Sequence, residues 1–260
     1  MPVKPSDPQQ ELQWITVSGS VLLLAMAMVF STLEGPLFAL RWLPAGLVCW
    51  VLVVWQCHTR LHRNRGTEDG RLYHSLGHGT RVTLLRGLLI AATAGFLTTA
   101  GMETRPVLLF LPALFYTVAA LGDALDGHLA RRQQHTTQLG AELDTALDAL
   151  GLLVAPLLAV LYGKLHASYL LVSVAYYLFQ WGIHWRRRHG RPVHGLPPSR
   201  LRRHLAGLQM VVVAAALWPP LPAGTTRVLG VFFMLPLLLG FWRDWLHVSG
   251  RRGTGQEPST

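Results

Sequence analysis

The sequence predicts an all-α protein, a polytopic bundle of membrane helices, and three observations carry that expectation. Hydrophobic residues make up 51% of the chain and charged residues only 14%, a balance foreign to a soluble domain of this size. The apolar residues gather into runs close to the ~20 residues that a bilayer demands. The Lys and Arg residues cluster between alternate runs instead of spreading along the chain.

Eight spans follow in order. Trp14–Leu33 is the first, and the polar start MPVKPSDPQQEL lacks the basic region and cleavage site of a signal peptide, so this span is expected to be retained. Leu37–Gln56 is the second and carries Arg41 and Pro44 within its apolar run. Val82–Gly101 and Val107–Leu125 are the third and fourth; Leu143–Tyr162, Leu165–Trp185, Leu205–Leu221 and Val228–His247 complete the set. The domain reading is an N-terminal helix pair over 1–57, a basic interfacial segment over 58–81 and six helices over 82–247. A disordered tail is expected over 248–260.

Orientation comes from the cations. Arg60, Arg63, Arg65, Arg71 and Arg81 lie in one inter-span segment, and Arg186, Arg187, Arg188, Arg191, Arg200, Arg202 and Arg203 in another. With eight spans these fall on one side together with Arg131, Arg132, Arg251, Arg252 and both termini. The opposite loops hold little beyond Arg105, Lys164 and Arg227. The basic side is therefore read as cytoplasmic, in a bacterial inner membrane. A net charge of +10 would suit nucleic acid, but no soluble domain is present to bind it. Anionic headgroups attract such arginines at about 1 kcal/mol each.

Function is concentrated in residues 123–148, DALDGHLARRQQHTTQLGAELDTALD, which hold five of the thirteen acids. Carboxylates at the ends of membrane helices are costly and call for a compensating cation or a chemical task. At about 100° per residue, Asp123, Asp126, Gly127 and Ala130 share one helix face, with Arg131 at its edge. Gly140, Asp144 and Asp148, each four apart, form a second stripe. Antiparallel helices joined by the polar turn Arg132–Leu139 would bring the stripes together. Four carboxylates would then converge with no fixed cation close enough to neutralise them all. Ligation by carboxylates alone suits Mg²⁺ or Mn²⁺ rather than zinc. Gly127 and Ala130 keep that face clear for close approach of a ligand.

The pattern Asp123-x2-Asp126-Gly127-x2-Ala130-Arg131-x8-Gly140-x3-Asp144-x3-Asp148 resembles, position for position, the signature of the CDP-alcohol phosphotransferase family. The resemblance implies that the last six helices form the catalytic membrane domain and that the first two are an addition. It implies transfer of a phosphatidyl, or other substituted phosphoryl, group from CDP-diacylglycerol or a similar CDP-alcohol to an acceptor hydroxyl, with release of CMP. Asp123, Asp126, Asp144 and Asp148 would hold two divalent ions, and Asp148 would also be the base toward the acceptor. Gly127, Ala130 and Gly140 would line the nucleotide cleft, and Arg131 would meet the diphosphate. Thr80-x-x-Thr83-x-x-Arg86 is similar to the family's N-x-x-T-x-x-R entry, with Thr80 in place of Asn, and adds Thr83 and Arg86 to the CDP-binding set.

Ser199-Arg-Leu-Arg-Arg203-His-Leu-Ala-Gly-Leu-Gln209-Met210 resembles a stretch of phosphatidylglycerophosphate synthases, S-R-x-G-K-x-K-T-x-x-Q-M. Arg203 stands in for one Lys, while Arg202, Leu205 and Ala206 replace its Gly, second Lys and Thr. Arg191, Arg200 and Arg203 become candidates for an acceptor phosphate, with glycerol 3-phosphate first and inositol phosphate, serine, phosphatidylglycerol and aminoalcohols as alternatives. Partners are then a CDP-linked substrate, a hydroxyl acceptor and membrane lipids, with a homodimer allowed. A transporter would explain buried acids but not Gly127, Ala130, Arg131 and Gly140 at fixed offsets, and a non-catalytic scaffold would have no need of all four aspartates. Cys49 and Cys57 are eight apart on one helix, roughly 12 Å by helical rise, too far for a disulfide. The histidine pairs His58/His62 and His74/His78 are read as interfacial.

Charge placement predicts that a reporter fused after Thr260 and one fused after Met102 lie on opposite sides of the membrane. Accessibility labelling of the two fusions checks this; the same side for both would refute the orientation.

Overall fold

The computed structural model describes residues 7–67, 70–132, 136–196 and 199–251, without the side chains of residues 124, 126, 128, 130, 131, 200 and 203. The tail 252–260, for which the sequence predicts disorder, lies outside the described residues, as does the centre of the polar turn, 133–135. Eight α-helices run in order: α1 Pro8–Glu34, α2 Pro36–His58, α3 His78–Gly95, α4 Phe110–Arg132, α5 Gln138–Leu161, α6 Leu170–Arg188, α7 Arg200–Leu217 and α8 Ala223–Val248. Among the described residues there is no strand, only two isolated bridges.

Local chemistry sets the helix ends. Asp7 caps α1 by accepting from the Gln9 N–H at 3.1 Å, with Pro8 in the first turn. Gly35, at φ 94°, ends α1, and Pro36 opens α2, giving a one-residue hairpin. Thr137 caps α5 through the Gly140 N–H at 2.9 Å. That cap lets α5 begin at Gln138 rather than at the apolar run, so Asp144 and Asp148 sit well inside a continuous helix. Likewise α4 runs on through the signature to Arg132.

Among the described residues six helices are long and apolar enough to cross a membrane, the hallmark of an integral membrane protein. The sequence predicts eight. The two that fall short are α6, which ends in Arg186–Arg188, and α7, whose apolar part is only His204–Leu217. They are consecutive, so counting both or neither leaves the termini on the same side.

The central helix is α3: 67% of its apolar window is buried, against 22% for α1 and for α8. It packs on α2, α4 and α5, while α7 packs on α4, α5 and α8, and α6 on α5 and α8. Lipid tails are as apolar as Leu, so helices associate here by close packing at small residues. Cβ atoms added at Gly19 and Gly95 would lie 2.5 Å from the rings of Trp50 and Trp42, and one at Gly182 would lie 2.7 Å from that of Trp245. These glycines are the sockets for three large rings.

The N-terminal pair, an addition by sequence, is part of the same continuous core. Phe30, Phe38, Trp42 and Phe96 form an edge-to-face cluster with centroids 4.9–6.4 Å apart, joining α1 and α2 to the end of α3. At the opposite end, buried Glu11 accepts from Arg81 at 2.9 Å and from the Leu76 N–H at 3.2 Å. Cys49 and Cys57 are both buried and free.

Gly95→Ala should destabilise the protein by about 1–3 kcal/mol, because a methyl group cannot enter without moving fully buried Trp42. Gly207→Ala, with nothing within 4 Å of the added carbon, should be neutral or mildly stabilising. Unfolding midpoints in detergent compare the two; equal midpoints would refute the socket.

Candidate functional site

Three helices meet where α4 approaches its end and α5 has completed its first turn. Asp123 comes from α4, Asp144 and Asp148 from successive turns of α5, and Arg86 from the centre of α3. One carboxylate oxygen from each aspartate lies within 4.8 Å of the others. The two stripes inferred from helical spacing therefore do face each other, at least through these three residues. The side chain of Asp126 lies outside the described residues, as do those of Ala130 and Arg131.

One fixed cation stands among the aspartates, too little to neutralise them all. The Arg86 guanidinium donates to Asp144 Oδ1 at 2.6 Å and Asp148 Oδ1 at 2.6 Å, and stands 2.9 Å from Asp123 Oδ1. Its Nε donates to the Ala119 carbonyl at 3.1 Å. Arg86 is only 4% exposed, whereas the three carboxylates are each about a third exposed (34%, 37% and 31%). The arginine is the floor of the cluster and the acids are its rim. One positive charge cannot balance three negative ones, so the rim retains an excess of negative charge facing the polar end of the bundle.

The donor set fits a hard divalent ion: all oxygen, all carboxylate, no His or Cys. Two oxygens on one Mg²⁺ at about 2.0–2.1 Å lie at most about 4.2 Å apart. Three oxygens cannot all sit at that limit around one ion, so the 4.8 Å spread must contract for an ion to be held.

The other sequence candidates fall into separate places. Thr83, one turn before Arg86, is buried and bonds the Gly79 carbonyl at 3.0 Å. Gly140 brings α5 against the start of α3: a Cβ there would lie 3.2 Å from Thr137 Oγ1 and 3.4 Å from Thr80 Oγ1. Gly127 is half-buried on α4 one turn past Asp123. Arg191 is not at the cluster; its guanidinium lies 4.9 Å over the ring of Trp185 on α6. The side chains of Arg200 and Arg203 lie outside the described residues, while Arg202 pairs with Asp244 at 3.2 Å and ties α7 to α8.

Sequence reasoning missed three supporting features. Gly122 faces the stem of Arg86, where a Cβ would come within 2.8 Å of its Cγ, so only glycine lets the arginine pass under α4. A glycine immediately before the first aspartate was the available signal. Tyr116, two turns below Asp123 on α4, lines the same floor with Arg86 and Asp148 and holds a buried hydroxyl without a partner among the described residues. The basic segment before α3, read as a surface anchor, is tied to the turn between the aspartate helices. Gln138 N donates to the Arg65 carbonyl at 2.9 Å, Thr67 N to that of Thr136 at 3.1 Å, and Arg60 and Arg63 both pair with Glu142.

A family model described as CDP-alcohol phosphatidyltransferase matches residues 79–242. No curated protein and no solved structure gives a match. The matched stretch covers more than half of the chain, runs from the first turn of α3 into α8, and contains Arg86 and all four signature aspartates. A membrane bundle with its acids gathered at one polar end and this family's pattern across it has one consistent assignment: the chain belongs to the CDP-alcohol phosphatidyltransferase family, membrane transferases of phospholipid biosynthesis.

Proposed function

We propose that the protein transfers a phosphatidyl group from CDP-diacylglycerol to the hydroxyl of glycerol 3-phosphate, releasing CMP on the cytoplasmic side. The convergence of Asp123, Asp144 and Asp148 within 4.8 Å on a buried arginine, inside the matched family segment, is the observation that carries this reading.

Asp123, Asp126, Asp144 and Asp148 would hold two divalent ions, Mg²⁺ or Mn²⁺, which when bound neutralise charge on the diphosphate and the leaving phosphate. Arg86 keeps the ligands assembled by engaging one oxygen of each described carboxylate. Asp148, with Oδ1 engaged by Arg86 at 2.6 Å, has Oδ2 available to take the proton of the acceptor hydroxyl. The new bond joins the acceptor oxygen to the phosphorus bearing the lipid. The bond that breaks joins that phosphorus to the oxygen leaving with CMP. Gly127 and Ala130 leave α4 thin where the nucleotide would lie, and Arg131 supplies a cation to the diphosphate.

Removal of metal by EDTA should abolish CMP release, and added Mg²⁺ or Mn²⁺ should restore it; full turnover in chelator would refute the metal reading. Asp123→Asn, Asp144→Asn and Asp148→Asn should each lower kcat by roughly 10²–10³-fold, the scale of removing one charge contact to the transition state. Near-normal turnover in any of them would remove that residue from the site.

The choice of glycerol 3-phosphate is supported by the Ser199–Met210 pattern and by the density of arginine at the start of α7. A phosphate needs several cations; a neutral polyol needs none. Arg191 is left out of this set because it lies over Trp185. Arg200→Ala and Arg203→Ala should raise the KM for glycerol 3-phosphate by about 10- to 150-fold, at ~1.5–3 kcal/mol per charge-assisted hydrogen bond. The KM for CDP-diacylglycerol should move far less. Equal shifts for both substrates would detach these arginines from the acceptor.

A further inference from the structure

A cavity of about 540 Å³ lies away from the aspartates, between α6 and α8. Beside Asp148, by contrast, the closed space beneath the cluster is only about 10 Å³. The larger one is a slot walled by Leu178, Trp181 and Trp185 of α6 and by Leu238, Trp242 and Trp245 of α8. Trp245 packs against Gly182, where a Cβ would approach its ring to 2.7 Å, and so forms the back wall. Leu178, Trp181 and Trp242 are each about 60% exposed, which leaves the slot open to the side. In an integral membrane protein that side is the bilayer, and the size falls in the roughly 300–1,000 Å³ range of ligand pockets.

The slot does not belong to the aspartate cluster. The slot is walled by α6 and α8, whereas the space beside Asp148 is walled by α3, α4, α5 and Met210 of α7, and no residue lines both. A molecule in the slot therefore touches none of the groups that line the space beside Asp148.

Its polar end is built from cations. Both α6 and α8 finish there, and the strap 189–194 joins their ends. The Arg186 guanidinium donates to the Pro192 carbonyl at 2.9 Å and to that of Ser249 at 3.3 Å, and His194 N donates to the Val248 carbonyl at 3.2 Å. The strap holds Arg191 over Trp185, a cation–π contact that fixes the guanidinium at the mouth. Arg187, Arg188 and Arg191 are exposed and have no acidic partner among the described residues. Tryptophans at headgroup level with unpaired arginines above them complement one kind of molecule, an amphiphile with an apolar tail and an anionic head. A second copy of the chain fits less well. Two-fold pairing through this face would set one arginine cluster against its twin, and like charges opposed across an interface are costly.

We propose that the α6–α8 slot binds an acyl chain of an anionic phospholipid, with its phosphate held by Arg191 and Arg188, as a lipid site separate from the aspartate cluster. The guanidinium fork suits a phosphate oxygen pair, and the cation–π contact means that little side-chain freedom is lost on binding.

The test uses tryptophan quenching in the full chain reconstituted without metal or CDP substrate, so its outcome is independent of the proposed transfer reaction. Four tryptophans are strongly exposed: Trp14, Trp55, Trp181 and Trp242. A Trp14→Phe/Trp55→Phe background leaves the two in the slot as the exposed reporters. Vesicles of phosphatidylcholine are doped with phosphatidic acid or with further phosphatidylcholine, each brominated on its acyl chains. Brominated phosphatidic acid should quench at a several-fold lower mole fraction than brominated phosphatidylcholine. Arg191→Ala should shift its midpoint upward by about fivefold, and Arg188→Ala/Arg191→Ala should abolish the preference. Equal quenching by the two lipids in the unsubstituted arginine background would overturn the proposal, since the slot would then be ordinary lipid-facing surface. Absence of quenching by either lipid would also overturn it. Cross-linking through Leu178→Cys, with both native cysteines buried, would then identify a second copy as the occupant.

Discussion

A guanidinium buried where three helices cross must be fully compensated or expelled, and around Arg86 that requirement orders the whole site. Its Nε is taken by a main-chain carbonyl of α4, and its terminal nitrogens by one carboxylate of α4 and two of α5. Taking any one of these ions out of water alone would cost several kcal/mol. Together they form a connected network in which each group needs the others. Without the arginine the three carboxylates would repel; without the carboxylates the arginine could not lie beneath them. The register of α3 against α4 and α5 is thereby tied to the same atoms that form the candidate metal site.

Around this charged centre the bundle is held by shape. Among lipid tails there is no hydrophobic gain from pairing helices, so contact quality decides. The sockets at Gly19, Gly95 and Gly182 accept tryptophan rings, and Gly122 accepts the arginine stem. The N-terminal hairpin joins by the same means. Its aromatic cluster grips the end of α3, and the Glu11–Arg81 pair grips the other end, so the helix carrying Arg86 is braced at both ends.

The many arginines divide into two populations that composition alone merges. Arg60, Arg63, Arg81 and Arg202 each pair with a carboxylate and join elements together. Arg60 and Arg63 bind Glu142 in the first turns of α5, close to Asp144, so the segment preceding α3 also steadies the aspartate helices. Arg187, Arg188 and Arg191 are exposed and, among the described residues, have no such partners. The first group is architecture; the second presents charge to whatever meets the membrane surface.

Much of this was determined by the sequence. Apolar runs of bilayer length need no tertiary context, because the membrane imposes the length, and the all-α class follows. The aspartate stripes were legible because a helix fixes which residues share a face: Asp123 on one stripe, and Asp144 and Asp148 on the other, do converge. Other matters depended on packing between segments distant in the chain. That Arg86 lies under the aspartates depends on a glycine in a different helix, and no periodicity reports that. That α5 starts five residues before its apolar run depends on a threonine cap, and that α1 and α2 belong to the core depends on ring geometry around Trp42. The largest difference concerns Arg191. In sequence it is one of a run of cations near a resemblance to an acceptor motif, and the strap between α6 and α8 carries it over the ring of Trp185. Charge and spacing decide which residue types are available, whereas the direction a loop takes decides what each of them faces.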